Sequence, residues 1–215
     1  MEKEKIINLI KELEQYKRNF VQTYDLIVVL KNVDINKIQG QINGPILLPH
    51  EVKHDQKICA ITSATMLEQA KAVADKVISP ADLEKIKDEN EVKKLAKEYD
   101  IFIAHQEMMP KIAKLFGKVL GPRKKMPNPK TGAIFTNNTD LKTIVNNLKR
   151  TQNIQVKDQL HIQISVGHEK QKPEEVAENI ITAVNHIVSH LPGGKSSIAH
   201  IYLKKTMSPK VKLEL

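Results

Sequence analysis

Ile58-Cys59-Ala60-Ile61-Thr62, then Thr65 to Asp75, then Val77-Ile78-Ser79-Pro80: this stretch decides how the chain is read. The first piece is a short apolar run, which predicts a strand. The second reads as a helix, and Val77-Ile78 as a second short strand. Ser79-Pro80 is an N-cap residue followed by a proline at the first helical position. Helical pattern then runs to Tyr99 with a break near Asn90. Asp100–Ala104 predicts a strand and Met108–Leu115 a helix. Alternating strand and helix is the signature of βαβ layers around a parallel sheet. Gly121 to Gly132 is a loop with three prolines and four basic residues, and Leu141–Leu148 is helical again.

Outward from this middle the rhythm changes. Residues 3–18 place Ile6, Ile7, Ile10, Leu13 and Tyr16 at helical spacing with charges between them, an amphipathic helix. A basic link, Lys17-Arg18-Asn19-Phe20, leads to a strand over Tyr24–Leu30. Gly44 to Pro49 is a short extended piece, and His50–Gln56 a polar linker. After Asn153, His161–Val166 alternates as a strand does, and Pro173–His190 is a long amphipathic helix. Glu174 and Glu175 sit in its first turn, where they suit the helix dipole. Ile198–Lys205 and Val211–Leu215 read as strands. The fold class is therefore α/β. The economical arrangement is an outer α+β domain made by both chain ends (1–56 and 154–215) with an inserted Rossmann-like βαβ domain (57–153).

Lys and Arg total 34 against 25 Asp and Glu, a net charge of +9, which favours a polyanionic partner. Residues 56–153 hold 18 basic and 11 acidic side chains, the flanks 16 and 14. Nearly neutral flanks need a local patch to hold nucleic acid. The last 21 residues have one: Lys195, Lys204, Lys205, Lys210 and Lys212 against Glu214. The lone cysteine, Cys59, cannot form an internal disulfide and reads as a small buried hydrophobe in a reducing compartment. The N-terminus has no apolar signal core. No apolar run approaches the ~20 residues of a membrane span. The expectation is a soluble, cytoplasmic protein without a membrane partner.

Several motifs fail on context. Gly193-Gly194-Lys195-Ser196 resembles the end of a phosphate loop, but Ser189 stands where the first glycine belongs, and a helix precedes it. A helix-ending glycine turn explains it. His186 and His190 are four apart, as in a zinc pair, yet Ile187 replaces the protease glutamate and no third ligand is near. The first strand of the middle runs into Thr62-Ser63-Ala64-Thr65 without a glycine, so a dinucleotide pyrophosphate has no close backbone approach. No nucleophile sits in a strand–turn–helix elbow. Neither a catalytic set, a metal nor a cofactor is expected. Two stretches stand out. The loop Leu120–Gly132 is stiffened by prolines and projects Arg123, Lys124, Lys125 and Lys130; it suits phosphates, or is a solvated linker. Lys204-Lys205-Thr206-Met207-Ser208-Pro209 ends a strand with cations and hydroxyls, or is an ordinary strand exit.

At these two stretches the sequence resembles the L-one family of large-subunit ribosomal proteins. The loop is similar to the family's Gly-Pro-Arg-Gly-x-Met-Pro-x-Pro segment, and Lys204–Pro209 to its Thr-Met-Gly-Pro strand end. Lys17-Arg18-Asn19-Phe20, Leu48-Pro49-His50 and Val166-Gly167-His168-Glu169-Lys170 fit in the same order, so the likeness covers nearly the whole chain. It leans archaeal at Lys17–Phe20 and Gly167–Lys170, and bacterial at Asn128–Gly132. The resemblance implies an outer domain that grips a stalk junction of the large-subunit ribosomal RNA. It implies an inserted domain facing exit-site tRNA, and repression of the protein's own mRNA. It implies a monomer within the ribosome. The RNA-contact candidates it carries over are Lys17, Arg18, Phe20, His168, Lys170, Lys204, Thr206, Met207 and Ser208; the tRNA-facing ones are Arg123, Lys124, Lys125 and Lys130. Two positions depart from the family: Ser208 and Lys124 stand where it has glycine. The competing readings are a non-ribosomal RNA- or DNA-binding regulator and an α/β enzyme that is cofactor-free or has lost its cofactor.

Overall fold

The computed structural model describes residues 3–35, 40, 42–86, 88–137, 139–156 and 159–214. The fold is mixed α/β, and the chain divides into two compact units, Met1–His54 with Arg150–Leu215, and Asp55–Lys149.

The first unit is built on an antiparallel sheet of β1 (Thr23–Leu30), β8 (His161–His168), β9 (Ile198–Lys205) and β10 (Val211–Leu213), in the order β10-β9-β1-β8. Strict alternation in β1, with Tyr24, Leu26, Val28 and Leu30 buried, turns one face inward. Helices α1 (Lys3–Glu14) and α7 (Pro173–His190) supply the other half of that core, through Ile6, Ile10, Leu13, Val176, Ile180, Ala183, Val184 and Ile187. A separate ribbon pairs β2 (Gly44–Leu47) with β7 (Thr151–Ile154). Helix α1 stops at Glu14, short of the expected end at Arg18. The carbonyl of Tyr16 is taken instead by the side-chain amide of Gln22 at 2.7 Å, which turns the chain out of the helix.

The second unit is a parallel sheet ordered β4-β3-β5-β6, from β3 (Ile58–Ile61), β4 (Lys76–Ile78), β5 (Ile101–His105) and β6 (Ile134–Phe135). Both its faces are covered, so β3 is buried throughout, as parallel strands require. One face packs on α3 (Pro80–Lys85), α4 (Glu89–Glu98) and α5 (Met109–Leu120). The other packs on α2 (Leu67–Lys71) and α6 (Leu141–Arg150). Ser79 caps α3 as its sequence predicts, its hydroxyl accepting from Asp82 N at 3.2 Å. The break expected near Asn90 falls earlier, because Asp88 caps α4 by accepting from Asn90 N at 3.0 Å. Burial pushes the Cys59 thiol up to about 12, so it is inert as a nucleophile. Leu215 lies outside the described residues.

Candidate nucleic-acid interface

Topology brings the separated RNA candidates together. Strand β1 is antiparallel to both neighbours, so its first residue lies beside the last residues of each. Thr23 pairs with His168 of β8, and Tyr24 with Lys205 of β9. The segments around residues 17–23, 168–170 and 204–208 therefore share one end of the sheet. No local pattern announces this, because the pairs are more than a hundred positions apart.

The strand end at Thr206 is tied down by hydrogen bonds. Thr206 N donates to Thr23 O at 3.1 Å, and the two threonine hydroxyls are 3.1 Å apart. Met207 N donates to Gln22 Oε1 at 3.1 Å. The turn closes through Ser208, whose N donates to Lys205 O at 3.2 Å and whose Oγ accepts from Lys205 N at 2.9 Å. With the backbone so pinned, large apolar side chains stay in solvent: Met207 is 57% exposed and Phe20, two residues before Gln22, 51%. Such unburied apolar surface on a rigid frame suits stacking and contact with bases and sugars. Lys17, Arg18 and Thr206 are exposed beside it.

The departure at Ser208 fits the turn. Its φ is not positive, so no glycine is required, and its hydroxyl is spent inside the turn. His168 is a different matter. Its side chain is only 9% exposed, its backbone N donates to Gln171 Oε1 at 2.9 Å, and its ring lies 5.3 Å from that of His54. Lys170 Nζ is 2.9 Å from His54 Nε2. His168 thus lines the wall of the site, while Lys170 is exposed at the surface. Gly167 is there for space: a Cβ would lie 2.7 Å from Gln171 Oε1.

Lys204 stands on the open face of the sheet, paired across β1 with Asp25, which accepts from Ser165 Oγ at 2.9 Å. Burial holds the Asp25 carboxyl above its usual range, while Ser165, Lys204 and Lys53 pull it down. An open cleft of about 330 Å³ lies over this row.

The loop after α5 in the second unit is ordered by its own polar groups. Asn128 Oδ1 accepts from Lys130 N at 2.9 Å, and Gly132 adopts φ 74°. Lys124 adopts φ 58°, a left-handed conformation that explains the glycine of the resembling segment. Lys125 corrects the sequence expectation. Its ammonium points inward, donating to Ala96 O at 3.0 Å and Tyr99 O at 2.7 Å at the end of α4. Asp100 is 3.6 Å from it. It is a helix cap rather than a projecting cation. Arg123, Lys124 and Lys130 do lie at the surface.

His186 and His190 stack with ring centroids 4.4 Å apart, and His190 Nδ1 lies 2.8 Å from the His186 carbonyl. Among the described residues no group of three or more His, Cys, Asp or Glu is placed to hold a metal. Among them, too, no helix is long and apolar enough to cross a membrane.

Residues missed from sequence are Tyr16, Gln22, Thr23, Glu169 and the role of Lys205. Lys205 was legible: it shares strand parity with the buried Ile201 and Leu203, which turns it inward. Gln22 was not, because its partner Met207 lies 185 positions away and its partner Tyr16 is a backbone carbonyl that carries no pattern.

The sheet end offers exposed aromatic and thioether groups, hydroxyls and cations on an α/β fold, a surface whose chemistry suits RNA. The chain matches the profile of the Ribosomal protein L1p/L10e family over residues 10–209 and belongs to that family. It is 38% identical over 216 residues to the large ribosomal subunit protein uL1 of Pyrococcus abyssi, covering 99% of this chain and 97% of that one. It is 40% identical over 202 residues to the uL1 of Methanosphaera stadtmanae, covering 93% of each. With the uL1 of Methanocaldococcus jannaschii the identity is 33% over 217 residues, 100% of this chain and 97% of that one.

Proposed function

We propose that this protein is a structural, non-enzymatic component of the cytoplasmic large ribosomal subunit and binds large-subunit ribosomal RNA through the sheet end at Thr206. The observation that carries the reading is the convergence of Phe20, Thr206 and Met207 on one rigid edge, through the bonds of Gln22 and Thr23 to the strand end. Large exposed apolar groups framed by hydroxyls suit an irregular RNA junction, where 2′-hydroxyls and unstacked bases are on offer. In this reading the RNA is the mobile stalk junction. Arg123, Lys124 and Lys130 of the second unit face exit-site tRNA and help it leave. The sheet end also takes the protein's own mRNA where that mimics the ribosomal junction, which represses translation.

The test is binding of a transcript of the stalk junction, with duplex DNA of equal length as competitor, at two salt concentrations. The expected result is retention of the transcript in the presence of excess DNA, with co-sedimentation of the protein with large subunits at moderate salt. Equal binding to DNA, together with loss from the subunits at that salt, would favour a non-ribosomal regulator.

A further inference from the structure

Lys205 is 2% exposed, the most deeply buried charged side chain among the described residues. Its ammonium lies beneath the RNA-facing edge. Nζ donates to Glu169 Oε2 at 3.3 Å and to Tyr16 O at 3.4 Å, and sits 5.8 Å from the centroid of the Tyr24 ring. Each partner belongs to, or adjoins, a different segment of the edge. Tyr16 precedes Lys17–Phe20, Glu169 lies between His168 and Lys170, and Lys205 itself leads into Thr206-Met207. Gln22, fully buried, closes the same circuit: its amide donates to Tyr16 O at 2.7 Å, its Oε1 accepts from Met207 N, and its own carbonyl accepts from Glu169 N at 3.0 Å.

Burying an ammonium is costly, and an apolar residue of like volume in the same strand position would pack against Tyr24 without that cost. The best-attested use of such buried ionic groups is to fix register, since they add little net stability. Here the groups they place in register are the three segments that carry the exposed candidates. We infer that Lys205, with Glu169, is a positioning residue of the RNA site: it locks the Tyr16–Phe20 link, the His168–Lys170 turn and the Thr206-Met207 strand end into one geometry. The inference rests on the RNA-binding reading above. It does not place Lys205 in contact with RNA, since the ammonium is covered.

The experiment uses the full chain with Lys205→Met and Glu169→Gln together, which removes both charges and leaves neither stranded. Glu169→Gln alone is the variant that keeps an acceptor, because the amide oxygen can still take a bond from the Lys205 ammonium, at a side chain with 21% of its surface in water; it is the milder variant in shape. Three quantities are read: the thermal melt, affinity for the stalk-junction transcript at several salt concentrations, and affinity for duplex DNA as non-specific ligand. The expected double variant melts close to wild type and binds the transcript about tenfold or more weakly, as for one or two misplaced hydrogen bonds. Its salt slope and DNA affinity stay unchanged, because no cation that meets phosphate is lost. The milder variant moves the same way by less. A melted double variant leaves Glu169→Gln to decide on the same three readings. Folded variants with wild-type affinity for the transcript would overturn the inference. So would a salt slope lowered by about one unit, which would make Lys205 a phosphate contact. A wild-type chain that ignores the transcript overturns instead the RNA-binding reading itself.

Discussion

The hydroxyls of Thr23 and Thr206 lie 3.1 Å apart, joining the start of β1 to the end of β9 across 183 positions of sequence. Thr206 Oγ1 also accepts from Thr23 N at 3.3 Å, and Thr23 O stands 3.4 Å away as an alternative acceptor for its proton. A hydroxyl has one proton and two lone pairs, so when Thr206 Oγ1 gives its proton to Thr23 Oγ1, one lone pair is left for a ligand that donates. A ribose 2′-hydroxyl is such a donor, and DNA lacks it.

Thr206→Val therefore acts on two levels. Losing the internal bonds destabilises the protein by about 0.5–1.5 kcal/mol, and stranding the RNA donor costs binding about 1–3 kcal/mol, roughly five- to 150-fold. The salt slope holds, because no cation is removed. Thr23→Val is the control: it loses the hydroxyl pair but leaves Thr206 Oγ1 in place, so stability falls and affinity holds. Melts and filter binding at two salt concentrations separate the outcomes. A Thr206→Val protein that binds as wild type removes this strand end from the site.

Lys124 is held at φ 58°. Among the described residues, the other non-glycine ones with positive φ are Asn32 and Asp55, types that tolerate the left-handed region. A lysine there pays about 1–2 kcal/mol in steric strain, and glycine removes it while losing part of the gain to a freer unfolded chain. Lys124→Gly is expected to stabilise the protein by about 0.5–1 kcal/mol, a rise of roughly 1–4 °C in Tm. A fall in Tm would mean that the lysine's own contacts outweigh the strain.

The basic loop contains two kinds of cation, and they separate by measurement. Lys125→Met uncaps the carbonyls of Ala96 and Tyr99, which lowers stability by about 1–2 kcal/mol. Changing Arg123, Lys124 and Lys130 to Gln is expected to leave binding of the isolated stalk RNA nearly unchanged and to slow tRNA release on ribosomes. A reduced salt slope for stalk RNA in this triple variant would move the loop into the primary interface.

What was legible in the sequence followed period and punctuation. The βαβ middle showed in Ile58–Ile61 and Ser79-Pro80, β1 in its Ile- and Val-rich run and β8 in its alternation, because these signals are local. Short strands such as Ile134–Phe135 and Thr151–Ile154 were not, since two to four residues hold no period and their pairing partners are distant. The same limit governs the site. Phe20, Thr206 and Met207 could be singled out from motif resemblance, but the bonds that join them pass through Gln22 and Thr23, which carry no motif. Lys125 misled because composition counts a cation without showing where its ammonium points.

The final prediction concerns the first unit alone. Its core, from Ile6 and Leu26 to Ile180 and Ile201, uses only residues of Met1–His54 and Arg150–Leu215. Every candidate contact at the Thr206 edge belongs to the same residues. Leu48 N donates to Arg150 O at 3.1 Å, so the chain leaves and re-enters this unit side by side. His54 is six residues beyond Leu48, a reach of at most roughly 20 Å. A Gly/Ser linker of about ten residues in place of Asp55–Lys149 spans that distance without strain. The shortened protein is expected to unfold in one cooperative transition and to bind the stalk-junction transcript within about tenfold of the full chain, a difference of about 1.4 kcal/mol. Its salt slope should be similar, because Lys17, Arg18 and Lys204 all remain. Calorimetry checks the first expectation and filter binding the second. If the protein folds cooperatively yet binds about a hundredfold more weakly, the second unit contributes directly to the RNA site, and the assignment of the interface to the Thr206 edge alone is wrong.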